Sequence, residues 1–71
     1  MKKISVSLSG HQTSISLEED FVDALNTIAK NRNISVASII QEIDTKRAPD
    51  ANLSSAVRCW ILHQYMQSTK L

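Results

Sequence analysis

The stretch whose reading decides the fold is Ile4-Ser5-Val6-Ser7-Leu8-Ser9-Gly10-His11-Gln12-Thr13-Ser14-Ile15-Ser16-Leu17. Its first half is apolar at Ile4, Val6 and Leu8 with serines between them. Its second half carries Thr13, Ile15 and Leu17 against Gln12, Ser14 and Ser16. A period of two predicts strands with one buried face. The apolar positions switch from even to odd across Ser9-Gly10-His11, so one continuous strand would turn its two halves to opposite faces. A turn at Ser9-Gly10 resolves the conflict. Leu8 then faces His11, Val6 faces Thr13, Ile4 faces Ile15, and all the apolar residues lie on one side of a hairpin. Gly10, the single glycine of the chain, falls where a positive φ is needed. The alternative is that residues 1–10 form a loosely ordered arm, as terminal segments often do.

After Leu17 the period becomes helical. Phe21, Leu25, Ile28 and Ala29, supported by Val22 and Ala24, predict a first helix over residues 18–31. The acidic run Glu18-Glu19-Asp20 suits its positive amino end. Two starts are open: a capping box of Ser16 with Glu19, or Leu17 as the cap with the acidic run as the first turn. Asn31-Arg32-Asn33 supplies residues that tolerate the left-handed conformation ending helices. Ser35 is a cap for a second helix, able to accept from the amide of Ala37 or Ser38, with Ile34 placed to pack on Ile39. Val36, Ile39, Ile40 and Ile43 make its apolar stripe, ending near Lys46-Arg47 ahead of Pro49. Asn52 caps a third helix over residues 52–67. That helix carries Leu53, Ala56, Val57, Cys59, Trp60, Ile61, Leu62, Tyr65 and Met66, too many apolar residues for one stripe. Burial on more than one side is expected.

Seventy-one residues, 42% hydrophobic and 21% charged, fit one globular domain over residues 1–71 and leave no room for a barrel or doubly wound enzyme scaffold. The expectation is that the protein is not an enzyme and uses no cofactor. A single cysteine, Cys59, rules out an internal disulfide and makes a structural zinc site improbable on ligand count, so oligomerisation is the staple left to a chain this small. Helix two and the β segment look too apolar for one chain to cover. The amino terminus begins like a signal peptide, but serines interrupt its apolar residues. No run approaches the ~20 apolar residues of a membrane span. A soluble cytoplasmic bacterial protein is the default expectation.

Taken together, the strand ending Thr13-Ser14-Ile15-Ser16-Leu17-Glu18, the amphipathic helix, the Asn-rich turn and the opening Ile34-Ser35-Val36-Ala37-Ser38-Ile39-Ile40 resemble the ribbon-helix-helix family over residues 12–47. Gly10-His11-Gln12-Thr13-Ser14 before the strand and Asn52-Leu53-Ser54-Ser55-Ala56-Val57-Arg58 after helix two look like a short bacterial subfamily. The resemblance implies a mainly α fold with a short N-terminal β ribbon or hairpin, residues 1–11 being an N-terminal strand and turn ahead of the ribbon-helix-helix core over residues 12–47. It adds a third C-terminal helix and an intertwined homodimer, or a higher oligomer, whose strands pair between chains. It also implies a transcriptional regulator that binds double-stranded DNA with the ribbon in the major groove. Carried onto this chain, the base-reading positions are Gln12, Ser14 and Ser16, and the phosphate contacts are Ser35 and Val36 at the amino end of helix two, with Arg32, Lys2 and Lys3 near them. Gln12 suits adenine bidentately, whereas serine discriminates poorly. A capping role accounts for Ser35 without any ligand, and a phosphate clamp is compatible with it.

Two features of the sequence press against DNA binding. A chain of net charge +1 gives a dimer of only +2, and the acids Glu18, Glu19 and Asp20 begin near the same surface. A hairpin in each chain would also widen the dimer's ribbon to four strands. That is about 14 Å between outer axes at ~4.8 Å spacing, against a groove about 12 Å wide. The competing class is a dimeric interaction module or antitoxin-like scaffold, for which Trp60 and Tyr65 are the suggestive residues. Cys59 and His63 share a helix face, but two ligands do not make a zinc site, and a buried cysteine beside a surface histidine is expected.

Overall fold

The computed structural model describes residues 1–69. Strands β1 (Lys2–Leu8) and β2 (His11–Leu17) form an antiparallel pair, followed by α1 (Glu19–Arg32), α2 (Val36–Lys46) and α3 (Leu53–Thr69). The register is the one that the parity switch demands: Leu8 opposite His11, Val6 opposite Thr13, Ile4 opposite Ile15. The amino-terminal segment is thus a strand and not an arm. Both turn residues take positive φ, Ser9 at 50° and Gly10 at 83°. That is the handedness of a two-residue turn whose twist matches the flanking strands. The turn is braced from α2, where Gln41 Oε1 accepts from the Ser9 amide at 2.9 Å.

α1 begins two residues later than a Ser16 cap and one later than a Leu17 cap would start it. Its cap is Glu18, with extended backbone and no side-chain cap bond. Ser16 and Leu17 cannot cap because both belong to β2, where Leu17 pairs with Lys2 and is fully buried. Asn33 ends α1 in the left-handed region at φ 57°. Ser35 caps α2 by accepting from the Ser38 amide at 3.0 Å, while Ile34 stays 42% exposed. Asn52 caps α3 by accepting from the Ser55 amide at 3.1 Å. Between α2 and α3, Arg47 donates to Asp44 at 2.8 Å and to the Ala51 carbonyl at 2.6 Å, which holds the connecting loop.

The core lies between the inner face of the hairpin and the three helices. It is built from Val6, Leu8, Ile15 and Leu17 of the strands, Val22, Leu25, Ile28 and Ala29 of α1, Ile39, Ile40 and Ile43 of α2, and Val57 and Ile61 of α3. α2 packs on β1, α3 packs on β2, and the two helices pack on each other. Among the described residues no polar side chain is buried.

Two expectations are corrected here. The isoleucines of α2 are covered within one chain, because β1 doubles the apolar sheet face beneath the helices. The radius of gyration, 11.8 Å, is close to the ~11 Å of a self-contained folded chain of this length. And α3 is not buried on several sides: Val57 and Ile61 are buried, whereas Cys59, Leu62, Tyr65 and Met66 are exposed. Its apolar residues exceed what the hairpin and two shorter helices can cover.

Two stability changes follow from this packing. Ile39→Ala removes a side chain with no solvent exposure and is expected to cost about 2–5 kcal/mol in urea unfolding, through lost transfer energy and a cavity. Ser9→Asn places a residue better suited to left-handed backbone at φ 50°. It is expected to raise the melting temperature, with a gain on the order of 1 kcal/mol at most.

Candidate nucleic-acid interface

The alternation that buries one face of the hairpin exposes the other. Ser16 lies opposite Lys3, Ser14 opposite Ser5 and Gln12 opposite Ser7, and all six side chains are exposed. Three rungs of the ladder therefore present hydroxyls, one carboxamide and one ammonium, with no carboxylate among them. Hydroxyls donate and accept, and a carboxamide offers both functions in one plane. This is a surface suited to the mixed donor and acceptor edges of bases in a major groove. Gln12, Ser14 and Ser16 are thus brought together. Ser5 and Ser7, which were not singled out from the sequence, stand beside them, and the same period-two alternation was the signal that could have found them.

The positions read as phosphate contacts are distributed differently. Lys3 belongs to the outer face, while Lys2 lies opposite Leu17 at the open end of the hairpin. Ser35 is engaged in its cap, its hydroxyl also 2.8 Å from that of Ser38. Val36 begins the helix behind it, where the first amides of any helix lack intrahelical acceptors. Arg32 is turned toward α3. Its guanidinium lies 5.3 Å from the centre of the Trp60 ring and donates to Gln64 Oε1. Among the described residues no hydrogen bond or ion pair joins Ser35 or Arg32 to the outer face of the hairpin.

The acids beside the ribbon are partly answered. Arg58 of α3 reaches across 40 positions of sequence to donate from Nε to Glu18 Oε1 at 2.9 Å. The Glu18 carboxyl is held below the ordinary carboxylate value first by that hydrogen bond and then by its own backbone amide, and slight desolvation opposes them. One of three charges at the start of α1 is therefore compensated on the protein itself.

Away from the ribbon, Cys59 and His63 line a shallow cleft between α2 and α3 together with Glu42, Ile43 and Trp60. The thiol is exposed, contrary to the buried cysteine expected, because Val57 and Ile61 define the inward side of α3 and Cys59 lies between them on the outer side. Among the described residues no group of three or more potential metal ligands occurs. No helix is long and apolar enough to cross a membrane.

A family model described as a ribbon-helix-helix domain matches residues 1–65, which takes in the hairpin and most of α3. No curated protein and no solved structure matches the chain.

The depressed Glu18 value fixes the sign of a pH effect. A carboxyl with a lower pKa folded than unfolded adds stability that is complete above the unfolded value, about 4.3, and disappears as pH falls through the folded one. Glu18→Gln is therefore expected to melt below the parent at pH 7, with the gap narrowing as pH falls below the unfolded value. Thermal melts of both proteins across that range check it.

Proposed function

Because the chain belongs to the ribbon-helix-helix domain family, we propose that it is a DNA-binding transcriptional regulator, a homodimer of single-domain chains that places a β ribbon in the major groove. Members of this family are generally DNA-binding regulators or antitoxins, typically dimeric, and the domain is not typically enzymatic. The observation that carries the reading is the outer face of the hairpin, exposed, polar and without a carboxylate. Gln12, Ser14 and Ser16 read base edges. The Ser35 and Val36 end of α2, with Arg32 three residues ahead of the cap, and the ammonium groups of Lys2 and Lys3 contact phosphates and so set position without reading sequence. The same reading, for a bacterial chain, has it act in the cytoplasm, where bacterial DNA lies.

The exposed apolar side of α3, with Leu62 at 55% and Tyr65 and Met66 at 43% each, supports the dimer. It also supports a second reading, a dimeric module that binds another protein and does not bind DNA by itself.

Titration with mixed-sequence duplex DNA at low and moderate salt separates the two. Lys2→Ala with Lys3→Ala is expected to weaken binding to all sequences alike and to flatten the salt dependence by roughly 0.9 in slope per lost contact. Gln12→Ala is expected to relax preference at one base position, a loss of about 1–3 kcal/mol of discrimination. Absence of salt-sensitive binding at low salt would leave the interaction module as the reading.

A further inference from the structure

We infer that Cys59 and His63 of α3 are one half of a tetrahedral zinc site, which a second copy of the chain completes with the same two residues. Such a site goes beyond the DNA reading above and does not rest on it. It occupies the side of α3 that the core leaves uncovered.

Val57 and Ile61 turn inward and are buried, so the residues on the far side of the helix face out. Cys59, Leu62, His63 and Met66, at i, i+3, i+4 and i+7, form that outer stripe, and all four are exposed. Residues four apart on a helix have Cβ atoms ~5–6 Å apart, the spacing at which the two histidines of a helical His-Glu-x-x-His sequence hold one zinc ion. Cys59 and His63 stand at that spacing and line the same cleft. Among the described residues neither side chain has a hydrogen bond or an ion pair. The cations of α2 beside them are offset by their own partners, Lys46 by Glu42 at 3.2 Å and Arg47 by Asp44 at 2.8 Å. One chain stops at two ligands, whereas structural zinc takes four. Among the described residues no third ligand joins the pair. A two-fold axis supplies the rest. In an antiparallel pair of α3 helices with the axis level with Ile61, each Cys59 comes opposite the partner's His63. The resulting set of two thiolates and two imidazoles suits zinc and not the oxygen-seeking magnesium or calcium. A two-fold contact also needs the same patch on both copies. Leu62 and Met66, 55% and 43% exposed, lie on the same stripe and would be covered in the same step. Each thiol yields its proton to solvent as the metal binds, so two protons leave per ion.

Cobalt(II) tests the site, because it accepts the tetrahedral geometry of zinc and its absorption reports thiolate ligation. The full-length chain, kept reduced with a phosphine, is titrated first with cobalt(II) and then with zinc. A thiolate-to-cobalt charge-transfer band is expected, saturating at one ion per two chains and bleached by zinc. Cys59→Ser should lose the band, and His63→Ala should weaken zinc binding at least about a hundredfold, since it removes two of the four ligands. Both positions are exposed, and circular dichroism checks that the variants keep the parent fold. His63→Cys exchanges one zinc ligand for another and should keep one ion per two chains, which no misfolded variant would do. Saturation at one ion per chain would overturn the inference, because the site would then close within a single chain. Absence of the band in the parent, or zinc binding by His63→Ala as tight as the parent's, would overturn it as well.

Discussion

Seven residues of β1 pair with seven of β2 across a turn of two, and the rest of the molecule is arranged around that ladder. A lone hairpin is marginal in water, so its apolar face must be covered, and α2 and α3 each take one strand. In return the second strand gives the helices a sheet wide enough to bury Ile39 and Ile40 completely. A chain with β2 alone would have to borrow the missing strand from a partner. This one carries its own, which is why a core that looked too large for 71 residues closes within them.

Much of this was legible in the residues. Ile4 to Leu17 encodes its own register, because parity and a single glycine admit one two-residue turn. The caps at Ser35 and Asn52 and the break at Asn33 are local chemistry and were read where they occur. What stayed hidden was long-range. The start of α1 is set by Leu17 being drawn into the sheet opposite Lys2, a fact outside any local window. The exposure of Cys59 and Leu62 depends on which side of α3 meets the sheet, and a helix apolar all round carries no periodic signal to choose it. In the candidate site, the β2 row was read from its alternation, and the reach of Arg58 to Glu18 across 40 positions was invisible in sequence order.

On the proposed reading, the composition of the outer face has consequences for how it recognises DNA. Serine hydroxyls both donate and accept, so Ser14 and Ser16 fit many sequences and exclude few. Gln12 is the one side chain there with a strong base preference. Discrimination beyond it falls to groove width and flexibility, which a stiff ribbon braced by helices measures better than a pliable one. A net charge of +1 also keeps the sequence-independent background low.

The order of elements along the chain has a consequence for synthesis. The hairpin leaves the ribosome ahead of the three helices, and Val57 and Ile61, which cover β2 from α3, come about 40 residues later. At roughly 5–20 residues per second, that interval lasts on the order of 2–8 s, long compared with the microseconds in which a hairpin forms and opens. The nascent strands therefore flicker with an uncovered apolar face until the last helix arrives. The serines and Gln12 spaced between the apolar positions interrupt any continuous sticky run, so the same alternation that writes the register also protects the unfinished chain from its neighbours on a polysome.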